Sequence, residues 1–493
     1  MTNDSDRQRQ PNILLIMVDE MRGDAMGYAG HPDVKTPHLD SLAARGIYYP
    51  NAVTACPTCV PARAILHTGL SGRNAGRVGY QDRVDWNYGD TLAAGLGEAG
   101  YQTRCVGKMH VHPLRNRIGF DDVELHDGFL HAYRAASRQY VENQLVADDY
   151  NYWLKMQRGI HVDVTDTGID CNGYVAHPWP YEEALHPTNW VTERSIDYLR
   201  RRDPRDPFFL MVSYVRPHAP YDAPASYFEL YRDLDRRRPL RPPFTGDWND
   251  HERHEREGRL HNSMSSPLDP DQVRQMQIGY YACITHIDHQ IGRLLMALHH
   301  YDLEEDTVII FVSDHGELLG DHLLIRKTVP YRGSISIPLI VTGPDAHVGR
   351  AGTVDHRVAE LRDILPTCWA LAGHEARRPL DGENLLEPTT REYLHGEHVV
   401  DGKDSAQFIV TERDKYIWFS GSGREQYFDL TLDPNETHDA IAETRYQERI
   451  AGLRACLVRE LDGSEEGYVA DGQLVTGRRP SAVLSNATAS LRT

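Results

Sequence analysis

The sequence predicts an α/β fold: a large, mainly parallel sheet sandwiched by helices, followed by a smaller C-terminal antiparallel sheet plus a helix. Two apolar runs of strand length, Asn12–Val18 and Thr307–Ser313, carry the first part of this reading. Unbroken apolarity marks a strand buried on both faces, as in a helix-covered parallel sheet. A change of texture near Arg391, where short strand-like segments begin to alternate with turn residues, carries the second.

Each apolar run stops abruptly at polar residues, Asp19-Glu20 after the first and Asp314-His315-Gly316 after the second. Ligands of open α/β sheets bind at the carboxyl ends of strands, so these residues are the first site candidates. Further strands are expected at Gln102–Val106, Phe208–Tyr214 and Ile337–Val341, with helical patterns at Leu39–Arg45, Thr91–Ala99 and Ala359–Leu371 between them. From Asp271 to Tyr301 the chain reads as one long helix whose stripe, including Met276, Tyr280, Ile284, Ile287 and Leu294, packs on the sheet. Beyond Arg391 come strands at Glu392–His398, Gln407–Glu412, Lys415–Ser420 and Glu425–Leu430, then a helix near Arg445–Leu461. The expected organisation is an N-terminal domain over 1–388, a C-terminal α+β subdomain over 389–480 and a loose tail over 481–493, with Arg232–Pro267 as a surface insertion.

At 493 residues, 40% hydrophobic and 25% charged, the chain has the balance of a soluble globular protein. A formal net charge of -19 argues against nucleic acid or an anionic membrane as partner, so an anionic substrate needs a local cationic pocket. The first ten residues lack the apolar core of a signal peptide, and no run reaches the roughly 20 apolar residues that span a bilayer. A cytoplasmic location is the expectation. Seven scattered cysteines do not read as a disulfide framework in so long a chain.

One cysteine has a distinctive setting. In Cys56-Pro57-Thr58-Cys59-Val60-Pro61-Ala62-Arg63 the segment from Ala62 to Thr68 is helix-compatible, which puts Cys59 at a helix N-terminus. Backbone N–H groups and the helix dipole stabilise negative charge there, and Pro61 suits a first turn because its missing N–H would be orphaned anyway. Taken alone, Cys56 and Cys59 also fit a redox Cys-x-x-Cys pair or two buried structural thiols. Carboxylates at two strand ends belong to neither reading.

The segments PNILLIMVDE, TPHLDSLAARG, CVPARAILHTG, AGYQTRCVGKMH, PFFLMVSYVRPHAPY, VIIFVSDHGELLGDH, SIPLIVTGP and EQYFDLTLDPNE, in this order, resemble the formylglycine-dependent (type I) sulfatase family of the alkaline phosphatase superfamily along nearly the whole chain. The resemblance implies an alkaline phosphatase-like fold, a catalytic role for 1–388, and hydrolysis of an organic sulfate ester on a carbohydrate or aryl alcohol. It implies that a formylglycine-generating enzyme oxidises Cys59 to an aldehyde whose hydrate carries two hydroxyls. One attacks sulfur and expels the alcohol; the other drives the C–O cleavage that releases sulfate. It assigns Asp19, Glu20, Asp314 and His315 to a divalent metal, Ca2+ by the hard oxygens, with Mn2+ tolerated by the imidazole.

By the same resemblance Lys108 holds a sulfate oxygen and His110 takes the hydrate proton, their alternate positions sharing a face if the preceding strand continues. His218 and Lys327 complete the sulfate-binding pair, His218 being the favoured acid for the leaving alcohol. Arg63 holds and orients the formylglycine oxygen. His112, His126 and His322 are set aside as solvent-facing or structural. His395, Glu397 and His398 enter only as a substrate-subsite candidate at the pocket rim.

Some positions depart from the family pattern. Ala62 replaces a frequent serine, and Arg332 follows Tyr331 where glutamate is common. Glu20 is longer than the usual side chain, enough to hold it off the metal. His315 replaces an asparagine and also resembles the phosphonate monoester hydrolase and choline-sulfatase branches. A phosphonate monoester or phosphodiester hydrolase with the same nucleophile is therefore the competing enzyme reading. A thiol oxidoreductase, or a noncatalytic sulfated-glycan binder, stands further off. The ester, the metal and any homo-oligomer have no legible code in the sequence.

Overall fold

The computed structural model describes residues 10–128, 148–249, 269–349, 352–402 and 404–489. Within them the main sheet consists of β1 (Asn12–Asp19), β2 (Ile47–Tyr48), β3 (Gln102–Gly107), β4 (Asp122–Leu125), β5 (Phe208–Pro217), β6 (Thr307–Ser313), β7 (Leu339–Thr342) and β8 (Thr353–Val354). Their order is β4-β3-β5-β1-β6-β7-β2-β8. The five strands from β4 to β6 run parallel, and β7 pairs antiparallel with both β6 and β2.

The two apolar runs thus lie side by side at the centre, with Val18 opposite Ser313. Both faces of β1 are buried, as its composition requires. Ile13, Leu15 and Met17 enter one core layer with the helices Cys59–Thr68, Leu92–Glu98 and Ile364–Leu371. Leu14, Ile16 and Val18 enter the other, with the helices Pro37–Arg45, Pro187–Arg201 and Pro270–His300. The long helix begins at a capping box of Asp269 and Gln272 with Pro270 in its first turn, an arrangement that satisfies otherwise orphaned backbone donors. No helix among the described residues is long and apolar enough to cross a membrane.

The C-terminal sheet, β9 (Leu394–Asp401), β10 (Asp404–Val410), β11 (Asp414–Phe419) and β12 (Glu425–Asp429), is an antiparallel meander in the order β12-β11-β10-β9. Alternation gives it two apolar faces. Ile409, Tyr416 and Trp418 pack under the helix Gln447–Leu461, while Phe408, Ile417 and Phe428 turn into the first core layer of the main sheet. One hydrophobic core therefore continues from the main sheet into the C-terminal sheet.

Of the segment Arg232–Pro267, the first residues continue the helix Ala225–Arg237 with partly or fully exposed side chains, and residues 250–268 lie outside the described ones. One sequence expectation needs correction. The tail is tied down through residue 489. Val78 N–H donates to Ala482 O at 3.1 Å, Leu484 N–H donates to Gly76 O at 2.9 Å, and Ser485–Ala489 is a short helix. These are backbone bonds, for which side-chain patterning gives no signal.

Candidate active site

Parallel strands end at one edge, and this edge is where the candidate residues meet. β1 ends in Asp19, β6 is followed by Asp314 and His315, β3 by Lys108, and β5 by His218. Backbone bonds hold these ends in register: Lys108 N–H to Ser213 O at 2.9 Å, His218 N–H to Asp19 O at 3.0 Å and Asp314 N–H to Val18 O at 3.2 Å.

Cys59 is the first residue of the helix Cys59–Thr68, every residue of which is buried. The helix stops at Gly69, whose left-handed φ of 64° lets its N–H reach Ile65 O. Thr58, extended before the helix, makes no capping bond through its side chain; its Oγ1 lies 2.8 Å from His398 Nε2 on β9. Cys59 Sγ lies 3.3 Å from His315 Nε2 and 3.5 Å from Asp19 Oδ1. Burial and Asp19 oppose a thiolate there, yet Lys108, Lys327 and His315 together hold the thiol well below its ordinary range. Cys56 behaves in the opposite way: burial, with Glu397 and Glu360, pushes its thiol well up, and it faces a different cavity beside Arg73 and His395. The two cysteines are therefore not one chemical unit.

Asp19, Cys59, Asp314 and His315 form a fully buried group whose donor atoms all lie within 4.8 Å of one another. Asp314 Oδ1 accepts from Glu20 N–H at 3.1 Å and from its neighbour His315 N–H at 3.0 Å, and Oδ2 accepts from Arg63 Nε at 3.0 Å. Arg63 is itself fixed by donating from Nη1 to Lys108 O at 2.8 Å and to Ser213 Oγ at 3.0 Å. His315 Nδ1 pairs with Gly316 O at 3.0 Å, which leaves Nε2 turned toward the carboxylates. Burial and Asp19 push the Asp314 carboxyl up to about 6, while burial opposes but Asp314 and Cys59 raise His315 to about 9. Two carboxylates crowded in a dry site, with an imidazole nitrogen aimed between them, fit a divalent cation of oxygen preference.

Glu20 stands apart from that group. Its backbone is left-handed, with φ 71°, and its carboxylate faces Lys327 Nζ at 2.9 Å and His218 Nε2 at 3.2 Å. Lys327 Nζ also reaches His218 Nε2 at 2.9 Å. Burial and Lys327 lower His218 to about 3, so the imidazole is neutral beside a charged ammonium. Lys108 Nζ pairs with Asp19 Oδ2.

β3 stops at Gly107, so Lys108 and His110 are not alternate residues of a strand, as the sequence suggested. An irregular loop replaces the strand, with Asp127 Oδ1 accepting from Met109 N–H at 2.8 Å and His110 N–H at 2.9 Å, and His110 at φ 59°. Both side chains still line one cavity of about 370 Å3 together with Cys59, His218 and Lys327. Burial and Lys108 work against a charged His110, but Asp82, with Nε2 to Oδ1 at 3.7 Å, and Cys59 raise it to about 9.

Of the histidines set aside, His126 is buried against Asp148 and His322 against Trp248, whereas His112 lines the cavity wall. The group at 395–398 lies behind the nucleophile loop: Glu397 N–H donates to Ala55 O at 2.7 Å and its carboxylate pairs with Arg73. Sequence reasoning missed Ser213, Asp127 and the wall segment Tyr80–Val84. Ser213, on β5, acts through its Oγ on Arg63, Asp127 through two backbone N–H groups, and the wall segment through its place along the cavity.

The sulfatase family model matches residues 11–374 of the chain. An arylsulfatase of Clostridium perfringens is 46% identical over 475 residues, 95% of this chain and 98% of that protein. A multifunctional alkaline phosphatase superfamily protein of Trinickia caryophylli is 30% identical, over 88% of this chain and 92% of its own length. The solved phosphonate monoester hydrolase of Agrobacterium radiobacter superposes with a TM-score of 0.70 at 25% identity, over 95% of this chain and 100% of that one.

Proposed function

The chain belongs to the sulfatase family, and we propose that it hydrolyses an organic sulfate ester of a carbohydrate or aryl alcohol through a formylglycine hydrate formed from Cys59 beside a divalent metal. Its class, a sulfuric ester hydrolase of alkaline phosphatase-like fold, follows from the family and from the arylsulfatase relative. The observation that supports the finer reading is the buried group of Asp19, Cys59, Asp314 and His315, opening on a cavity that holds Lys108, His110, His218 and Lys327.

Asp19, Asp314 and His315 would hold the metal, Ca2+ or Mn2+, whose charge would draw electrons from the sulfate oxygens and favour an ionised nucleophile. Arg63 aims Asp314 through Nε, and its buried Nη2, which has no protein partner among the described residues, is the donor that would hold and orient the formylglycine oxygen. Lys108 and Lys327 clamp sulfate oxygens as charge gathers on them. His110 accepts the proton of the second hydroxyl as the C–O bond to sulfate breaks and the aldehyde re-forms. His218 protonates the leaving oxygen; neutral in the substrate-free site, it takes up that proton as the negative sulfate group enters, while the Lys327 ammonium stays charged. Glu20 anchors Lys327. Maturation requires a formylglycine-generating enzyme, the partner this reading implies.

Mass measurement on the peptide containing Cys59, from protein made with an active maturation system, tests the nucleophile. A peptide that stays wholly thiol in a protein still turning over sulfate esters defeats the mechanism. A second reading, phosphonate monoester or phosphodiester hydrolysis by the same nucleophile, is favoured by His315 and by the likeness to the Agrobacterium enzyme. Comparing kcat/KM on aryl sulfate, phosphodiester and phosphonate separates the two, because a preference of orders of magnitude for phosphorus would select the second.

A further inference from the structure

We propose that Tyr80 is a specificity-determining residue: its ring, anchored through its hydroxyl by Asp82, is the platform against which the aromatic leaving group of an aryl sulfate packs. This rests on the sulfate ester reading above and names the alcohol. The segment that carries Tyr80 is clamped at both ends. Val78 bonds through its backbone to Ala482 and Val399, and Trp86 N–H donates to His112 O at 2.8 Å over a buried indole. Between these clamps Tyr80, Gln81, Asp82, Arg83 and Val84 form one wall of the catalytic cavity.

Tyr80 is 46% exposed, unusual for a large ring on a fixed wall. Its ring centroid lies 6.1 Å from that of His110, edge to face, so it stands beside the reacting centre. The hydroxyl donates to Asp82 Oδ2 at 2.7 Å, which orients the ring and leaves its π face as what it offers a ligand. Val84, Val111, Leu114 and Val215 also line the cavity. Among the polar side chains of the same lining they add aliphatic surface that can cover a flat ring, and the volume of about 370 Å3 suits a small ligand. A phenolate also leaves more readily than an alkoxide.

The test uses full-length protein of measured formylglycine content, as wild type, Tyr80→Ala and Tyr80→Phe, on 4-nitrophenyl sulfate, n-propyl sulfate and glucose 6-sulfate. The aryl-to-alkyl ratio of kcat/KM should fall about tenfold in Tyr80→Ala, the size of one lost aromatic contact, and by less in Tyr80→Phe, which keeps the ring but loses its anchor. An unchanged ratio in Tyr80→Ala overturns the proposal, as does a wild-type preference for glucose 6-sulfate that the variant abolishes. If the wild type cleaves none of the sulfates but does cleave phosphonate monoesters, the sulfate reading has failed. The aryl-to-alkyl ratio on phosphonates then decides the role of Tyr80 separately.

Discussion

Lys327 Nζ lies 2.9 Å from Nε2 of His218 and 2.9 Å from Oε1 of Glu20, so one buried ammonium is shared between a neutral imidazole and a carboxylate. Glu20 follows directly on Asp19, yet its carboxylate pairs with Lys327 and His218 while that of Asp19 faces Lys108 and Cys59. The left-handed backbone at Glu20 makes that divergence.

Glu20→Gln should therefore keep the metal and weaken the clamp. Metal affinity, read by titration of metal-free protein, should stay within about threefold, while kcat/KM on a sulfate ester falls roughly 10- to 100-fold, the worth of one hydrogen bond to a charged group. Asp314→Asn is the control that should lose the metal. Equal losses of affinity in the two variants would make Glu20 a ligand.

Removing the metal should destabilise the fold. Asp19 and Asp314 are both fully buried, and Asp19 adds to the cost of ionising Asp314. A cation held at a hundred times its Kd adds about 2.7 kcal/mol to stability. A chelator should lower Tm by several degrees, and added Ca2+ should restore it. A Tm indifferent to both would place the cation elsewhere.

His110 can take a proton only when neutral. Burial and Lys108 lower it but Asp82 and Cys59 raise it to about 9 in the unmodified chain, and conversion of Cys59 removes one of the raising charges. The kcat profile should accordingly rise with pH through an apparent pKa below 9. Asp82→Asn removes a charge that favours imidazolium, so the limb should move to lower pH by about one unit. A limb that stays in place, or moves to higher pH, assigns the titration to another group.

Asp288, on the long helix, accepts from His38 N–H at 3.2 Å and Leu39 N–H at 2.8 Å at the start of the helix Pro37–Arg45. Burial outweighs those two bonds and raises its carboxyl to about 7. A raised carboxyl stabilises the fold fully below its unfolded pKa of about 4, and that contribution is lost as pH rises through 7. Urea unfolding at several pH values should show wild type losing ground to Asp288→Asn between about pH 4 and pH 7. A difference independent of pH would mean that Asp288 is ionised throughout.

Much of the site was legible because its chemistry is local. Asp19 and Asp314 end apolar runs, and Cys59 begins a helix whose Pro61 and Arg63 follow in fixed spacing. The wall segment Tyr80–Val84 was not legible, because its position comes from backbone bonds to Val399 and Ala482, more than 300 residues away in the chain. Nor could spacing show that Lys108 and His110 are turned by Asp127.

What the sequence by itself determined is the kind of sheet and the edge on which the chemistry lies. Apolar strands buried on both faces must be covered by helices, and their polar ends must then meet at one rim. Only the tertiary structure decided the partnerships at that rim: Glu20 with Lys327 instead of the metal group, Arg63 with Asp314, and Cys56 turned away from Cys59. Those choices depend on side-chain directions and low-dielectric distances of a few ångströms, set by long-range packing that no local pattern records.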